Sequence, residues 1–200
     1  MPKRGDSAEY ALNSEQADKL LRTCTDLRER IIIGSMVYMG MRISELLHMQ
    51  SHWLTDDDCV RIPSRQECTC SSCLKRKGGI WTPKTKAGAR EIPIPKSLIK
   101  DFDSFYRQHP NGLSLSRGMV WLHVKAILKR AGVRSKWLAK GTIFPHALRA
   151  TSATLLAAGG IDSAALCYYM GWTDLKVGEH YIKLAQARDS ALRQARQIFK

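Results

Sequence analysis

Gly171-Trp-Thr-Asp-Leu-Lys-Val-Gly-Glu-His-Tyr181 is the stretch on which the reading of this chain turns. It sets a tyrosine nine residues after a tryptophan, and upstream of both lies the pair His146-x-x-Arg149. Farther back stand Arg42, in Gly40-Met-Arg-Ile-Ser-Glu45, and Lys84, in Pro83-Lys-Thr-Lys86. Together they supply a nucleophile, two guanidinium forks, a proton donor and an imidazole, a kit suited to attack on a phosphodiester without a metal ion. None of these pieces is rare alone. Their order and spacing carry the signal.

The 200 residues are 44% hydrophobic, enough to bury the core of one folded domain. A formal charge of +14 and a pI near 9.8 make the surface attractive to polyanions, of which nucleic acid is the usual one. Solubility alone, or docking on anionic lipid, are the blander uses of such charge. No stretch approaches the ~20 continuous apolar residues that span a bilayer, so no membrane partner is expected. The start, Met1-Pro-Lys-Arg-Gly-Asp6, lacks the apolar core of a signal peptide. The expectation is a cytoplasmic protein whose six cysteines are reduced thiols or metal ligands.

Residues 1–12 read as a short basic leader. Asn13-Ser-Glu-Gln16 then carries a helix start, an Asx cap with glutamine three residues on, followed by Leu20, Leu21, Cys24 and Leu27 at helical spacing. Ile31 to Met39 is a nearly continuous apolar run that predicts a buried helix, interrupted by Gly40, after which Arg42 opens the next turn. Cys59–Pro63, Gly79–Pro83 and Arg90–Pro95 are short, β-branched or aromatic, and bounded by Pro and Gly; they predict three strands of one small antiparallel sheet. Lys84 to Ala89 forms the turn between the last two.

From Ser97 helices return: 98–106, 117–130 closed by Gly132, one opened by Pro145 and ended by Gly159-Gly160, one capped by Asp162, and a final pair carrying Tyr181 and then the tail. The predicted fold is mainly α with a small three-stranded antiparallel sheet. The domain spans 13–183, with a Cys-rich insertion near 64–79 and a helical tail over 184–200.

Each candidate has a plainer reading. Arg42 and Glu45 are three apart on a helix, which is ordinary ion-pair spacing, or else a guanidinium held so that its fork faces a phosphate. His146 and Arg149 share a helix face just after Pro145, where backbone N–H groups favour an anion; the alternative is a capping histidine beside a solvated arginine. Lys84 at a hairpin tip is either a solvated charge or an amine lowered beside a scissile phosphate, with Lys86 its weaker rival. Trp172 alone reads as core, and Tyr181 as a half-buried aromatic. Tyr168 and Tyr169 compete for the nucleophile's role.

Cys68-Thr-Cys-Ser-Ser-Cys73 offers three thiolates, with Cys59 or a histidine as fourth ligand if zinc is bound. Zinc ribbons present paired Cys-x-x-Cys knuckles, which this is not. Reduced loop thiols are the plainer reading and bound zinc its alternative, and no metal or cofactor is expected to take part in the chemistry.

Taken together, Gly40-Met-Arg-Ile-Ser-Glu-Leu46, the turn Lys84-Thr-Lys86 followed by Arg90-Glu-Ile-Pro-Ile-Pro95, Pro145-His-Ala-Leu-Arg-Ala-Thr151, Met170-Gly-Trp172 and His180-Tyr-Ile182 resemble the catalytic domain of the tyrosine recombinase (phage integrase) family. The resemblance covers roughly 13–183 with every motif in the family's order. It implies a site-specific recombinase or integrase that cleaves and rejoins DNA through a 3′-phosphotyrosine, without a metal. The implied catalytic residues are Arg42, Lys84, His146, Arg149, Trp172 and Tyr181. The implied partners are double-stranded DNA and further copies of the chain, a tetramer at the synapse, in a prokaryotic cell and encoded by a virus, plasmid or other mobile element.

Three departures qualify it. Trp172 stands where histidine is commoner. The family's separate N-terminal helical domain is not seen, which would weaken affinity or synapsis. The cysteine insertion resembles those of some archaeal integrases. The alternative function is a non-catalytic DNA-binding accessory protein derived from an integrase.

Overall fold

Asn13 begins the first helix by a reciprocal cap. Its Oδ1 accepts from the Gln16 N–H at 2.8 Å, while Gln16 Oε1 accepts from the Asn13 N–H at 3.1 Å. The computed structural model describes residue 8 and residues 10–133 and 145–199; the side chains of residues 145, 146, 188 and 189 are outside that description. Helix α1 (Ser14–Thr23) buries Ala17, Leu20 and Leu21 on one face. Helix α2 (Leu27–Ile33), capped by Asp26, has Ile31, Ile32 and Ile33 all fully buried, as befits a central helix with no solvent side. It runs on into one π-helical turn, Gly34–Tyr38, still in the core.

Gly40 ends that run at φ 60°, a left-handed conformation that side chains resist, and a Cβ there would lie 2.8 Å from Met170 Sδ. The chain reverses, and α3 (Ile43–His48) starts with Arg42 at its N-cap.

The three strands predicted are present, but they do not form one sheet. β1 (Cys59–Ile62) pairs antiparallel with β4 (Arg90–Pro93), Val60 opposite Ile92. The middle strand β3 (Ile80–Trp81) pairs instead with β2 (Gln66–Glu67), which the sequence reading left in a loop. Two polar residues have no alternation to detect. Gln66 is fixed by its own side chain, which accepts from Trp53 Nε1 and donates to the His48 carbonyl, both at 2.7 Å. Helix α4 (Ser71–Lys77), also unpredicted, fills the insertion between β2 and β3.

Helices α5 (Ile99–Gln108) and α6 (Arg117–Arg130) complete the large core. α7 (Pro145–Ala158) places Ala147, Ala150, Ala153 and Ala157 inward, small residues that let neighbouring helices approach. α8 (Ser163–Met170) is capped by Asp162, as expected. The last predicted pair of helices is a single helix, α9 (Leu175–Ile198), so the boundary drawn at 183/184 falls inside a continuous element. The end of the supposed leader also joins the body: Leu12 is buried and its N–H donates to Thr151 Oγ1 at 3.0 Å. A second core cluster of Ala150, Ala153, Leu166, Met170 and Tyr181 packs α7, α8 and α9 together. No helix among the described residues is long and apolar enough to cross a membrane.

Candidate active site

Arg42, Arg149, Trp172 and Tyr181 come from distant parts of the chain and meet at one junction. Arg42 leaves the N-cap of α3 with only 15% of its side chain exposed. Its Nη1 donates to Glu45 Oε1 at 2.7 Å and its Nη2 to the Gly171 carbonyl at 2.8 Å. Glu45 Oε2 also accepts from the Arg42 N–H at 2.8 Å, so one carboxylate fixes both the backbone and the fork. The Arg42–Glu45 spacing is thus more than a surface pair.

Arg90 is the residue that sequence reasoning missed. Its side chain is fully buried, with Nη1 and Nη2 at 3.3 and 3.2 Å from the two Glu45 oxygens and Nε donating to the Tyr169 carbonyl at 2.7 Å. The signal was available: the alternation that turns Ile92 inward on β4 turns Arg90 inward as well.

Arg149, on α7, is 5% exposed and donates from Nη1 to the Gly40 carbonyl. Its Nη2 is buried with no hydrogen-bond partner among the described residues. A solvated arginine is excluded. Burial first, then the Arg42 and Arg90 charges, holds its pKa well below the usual value, while Glu45 and the Tyr181 phenol act the other way. Tyr181 therefore lies within the electrostatic reach of Arg149. Trp172 sits between them, its ring centroid 5.8 Å from Arg149 Cζ and 5.3 Å from the Tyr181 ring, stacked at 20°. Tyr181 is 6% exposed.

The turn carrying Lys84 packs on the same junction. Thr85 Oγ1 approaches the Gly171 carbonyl at 3.4 Å, the oxygen that Arg42 also holds. Gly171 has φ 60°, and a Cβ there would meet the Ala87 carbonyl at 2.8 Å, so only glycine lets the turn come this close. Lys84 and Lys86 are both exposed at the edge of this site. His146 is in the first turn of α7, three residues before Arg149; its side chain lies outside the described residues.

The rival tyrosines are engaged elsewhere. The Tyr169 hydroxyl donates to the Tyr38 carbonyl at 3.3 Å, and burial pushes its pKa up to about 12. Tyr168 is 60% exposed, with its hydroxyl 3.5 Å from the Glu91 N–H.

The Arg42 and Arg90 guanidiniums thus share one carboxylate, which also lies in the field of Arg149, leaving excess positive charge and one orphan donor in a largely buried site. An anion bound here would satisfy that donor, and a buried donor left unpaired costs about 1–3 kcal/mol. For Glu45 itself, burial raises the pKa, and the charges of Arg90, Arg149 and Arg42 outweigh it to leave the carboxyl below its ordinary 4.5. A depressed folded-state pKa gives stability that is present above the unfolded value and lost as pH falls through the folded one. The thermal midpoint should therefore drop as pH falls below 4.5, and the Glu45→Gln variant should show a shallower drop than the native chain in the same melts.

Comparison with known proteins identifies the fold and the family. Tyrosine recombinase XerA of Thermococcus onnurineus is 28% identical over 200 residues, covering 92% of this chain and 61% of that protein. The chain spans about three-fifths of the length of the curated relatives it matches. Among solved structures, the crystal structure of XerA recombinase superposes with a TM-score of 0.69 at 17% identity, over 95% of this chain and 65% of that one. The Tn1549 transposon integrase in complex with transposon right end DNA gives 0.65 at 23% identity, over 92% and 66%. These likenesses show the fold, a tyrosine recombinase catalytic domain. The phage integrase family matches residues 11–188, nearly the whole chain, and the chain belongs to that family.

Proposed function

We propose that this chain cleaves and rejoins DNA strands site-specifically through a covalent phosphotyrosine. The observation that carries the reading is the buried cluster of Arg42, Arg90 and Arg149 around a single Glu45, with the Arg149 Nη2 donor unpaired and Trp172 and Tyr181 stacked beside it. Its excess charge suits a phosphodiester.

In this mechanism the Tyr181 oxygen attacks the scissile phosphorus in line. The P–O5′ bond breaks, leaving a 3′-phosphotyrosyl link and a 5′ oxygen that Lys84 protonates. His146 assists transfer of the phenolic proton. Arg42 and Arg149 hold the non-bridging oxygens and offset the charge that grows on them, and Trp172 supplies an indole N–H and packs the tyrosine's segment. Attack by a 5′-hydroxyl then reverses the step, and a partner strand's hydroxyl completes recombination. Arg90 touches no DNA in this scheme; it positions Glu45, which aims Arg42.

The XerA and integrase relatives bear names of recombination enzymes, and the +14 charge suits a DNA partner. Further copies of the chain, four at a synapse, and action in a prokaryotic cytoplasm go with the same reading.

The test is a nicked duplex bearing a candidate recombination site, incubated with the chain and resolved on a denaturing gel. A protein–DNA adduct is the expected product. DNA bound without any adduct would instead favour an accessory factor. Arg149→Ala should lose about 10²–10³ in cleavage rate, with duplex affinity changed far less, read from single-turnover kinetics and gel shifts on the same duplex.

A further inference from the structure

From sequence the cysteine insertion reads as loop thiols, with Cys59 or a histidine as the fourth ligand if a metal is bound. Cys59 belongs elsewhere: it sits in β1, with its Sγ on the Asp57 carbonyl. The group that meets the other three cysteines is His48, at the end of α3. Its Nε2 lies 3.5 Å from Cys73 Sγ and 3.6 Å from Cys70 Sγ, and the four ligand atoms of His48, Cys68, Cys70 and Cys73 all lie within 4.8 Å of one another.

These separations can be compared with metal geometry. Zinc bonds of about 2.3 Å to sulfur and 2.0–2.1 Å to nitrogen, at tetrahedral angles, put sulfur and nitrogen ligands ~3.6 Å apart and two sulfurs ~3.8 Å apart. The two measured sulfur–nitrogen distances fall on the first of these values.

The surroundings favour a cation as well. His48 Nδ1 lies 2.7 Å from the Ser44 carbonyl, which fixes that nitrogen as the N–H donor and turns the Nε2 lone pair toward the sulfurs. The ring is held flat against Trp81, centroids 5.2 Å apart, and Trp81 Nε1 donates to Ser44 Oγ at 3.1 Å. Backbone N–H groups of Cys70 and Cys73 donate to Cys68 Sγ and Cys70 Sγ, both at 3.4 Å, bonds that favour thiolates. Three thiolates with a neutral imidazole and a divalent ion carry one net negative charge. Lys75, Arg76 and Lys77 stand in the last turn of α4 to balance it.

We propose that His48, Cys68, Cys70 and Cys73 form a closed structural zinc site. With four protein ligands it leaves no open position for a reacting water, so its task is to fasten the insertion to α3, the helix that carries Arg42 at its cap and Glu45 in its first turn. This inference does not depend on the recombinase chemistry.

The experiment uses the full chain purified with a thiol reductant present. Plasma mass spectrometry should find about one zinc per chain, falling about tenfold or more in the double variant Cys70→Ser/Cys73→Ser, while Cys59→Ser keeps its zinc. Should the double variant fail to fold, Co²⁺ titration of the native and Cys59→Ser chains decides. Intense visible bands of a tetrahedral ion and near-ultraviolet sulfur-to-cobalt absorption are expected, saturating at one equivalent. A native chain that is zinc-free and gives neither band, a Cys70–Cys73 disulfide in its place, or a double variant that retains zinc would each overturn the site.

Discussion

Tyr181→Phe is expected to form no covalent adduct on a nicked duplex while binding that duplex as the native chain does. The substitution removes one oxygen and keeps the ring, so the stack on Trp172 and the packing against Ala150, Ala153 and Met170 persist. The cost to stability is that of a hydroxyl's hydrogen bonding, about 1 kcal/mol. Under the proposed mechanism cleavage is lost altogether, because both rival tyrosines are engaged elsewhere. Tyr169 is tied to the Tyr38 carbonyl, and Tyr168 points to the β4 strand. Denaturing gels and gel shifts on one duplex check both halves. An adduct that survives in this variant would hand the nucleophile to another residue and end the assignment of Tyr181.

Glu45→Ala has the opposite profile, with the fold suffering first. The carboxylate is 1% exposed and is the counterion for Arg42 and Arg90, and it lies in the field of Arg149. Deleting it leaves like charges buried together. Removing one partner from a buried ion pair costs about 3–5 kcal/mol, and in a chain of this size each kcal/mol moves the thermal midpoint by about 2–4 °C. A fall of about 10 °C is therefore expected, measured by circular dichroism at neutral pH. Double-mutant cycles with Arg90→Met then separate the two arginines: restoring part of the loss would show that repulsion, rather than a cavity, dominates. An unchanged midpoint would mean that the carboxylate does not hold this cluster together.

Much of this architecture was legible because local chemistry and tertiary structure agree. The Asn13 cap, the Gly132 stop after 117–130 and the Asp162 cap are each decided within four residues of chain, and each appears where the sequence puts it. Arg42 and Arg149 were recognisable by motif, though nothing local shows that each is buried. What escaped was settled by partners distant in sequence. The strand Gln66–Glu67 exists because Trp53 and His48 hold the Gln66 amide. Arg90 reads from sequence only as the first residue of a strand, and its role appears when Glu45 supplies its partner across 45 residues. His48 gave no sign of meeting three cysteines, since the end of a helix and a loop twenty residues later share no periodicity.

The contacts that assemble the site span long stretches of chain: Arg149 reaches Gly40 across 109 residues, Ser152 reaches Tyr38 across 114, and Arg42 reaches Gly171 across 129. Closing loops of that length is entropically slow and is rewarded only when both ends are present. A polypeptide still emerging from the ribosome, or one truncated before Gly171, has Arg42 but neither the carbonyl that its Nη2 meets nor the segment that bears Tyr181. Under the proposed function, such unfinished chains carry charge that suits DNA without the phenol proposed to cut it, so cutting waits on completed synthesis.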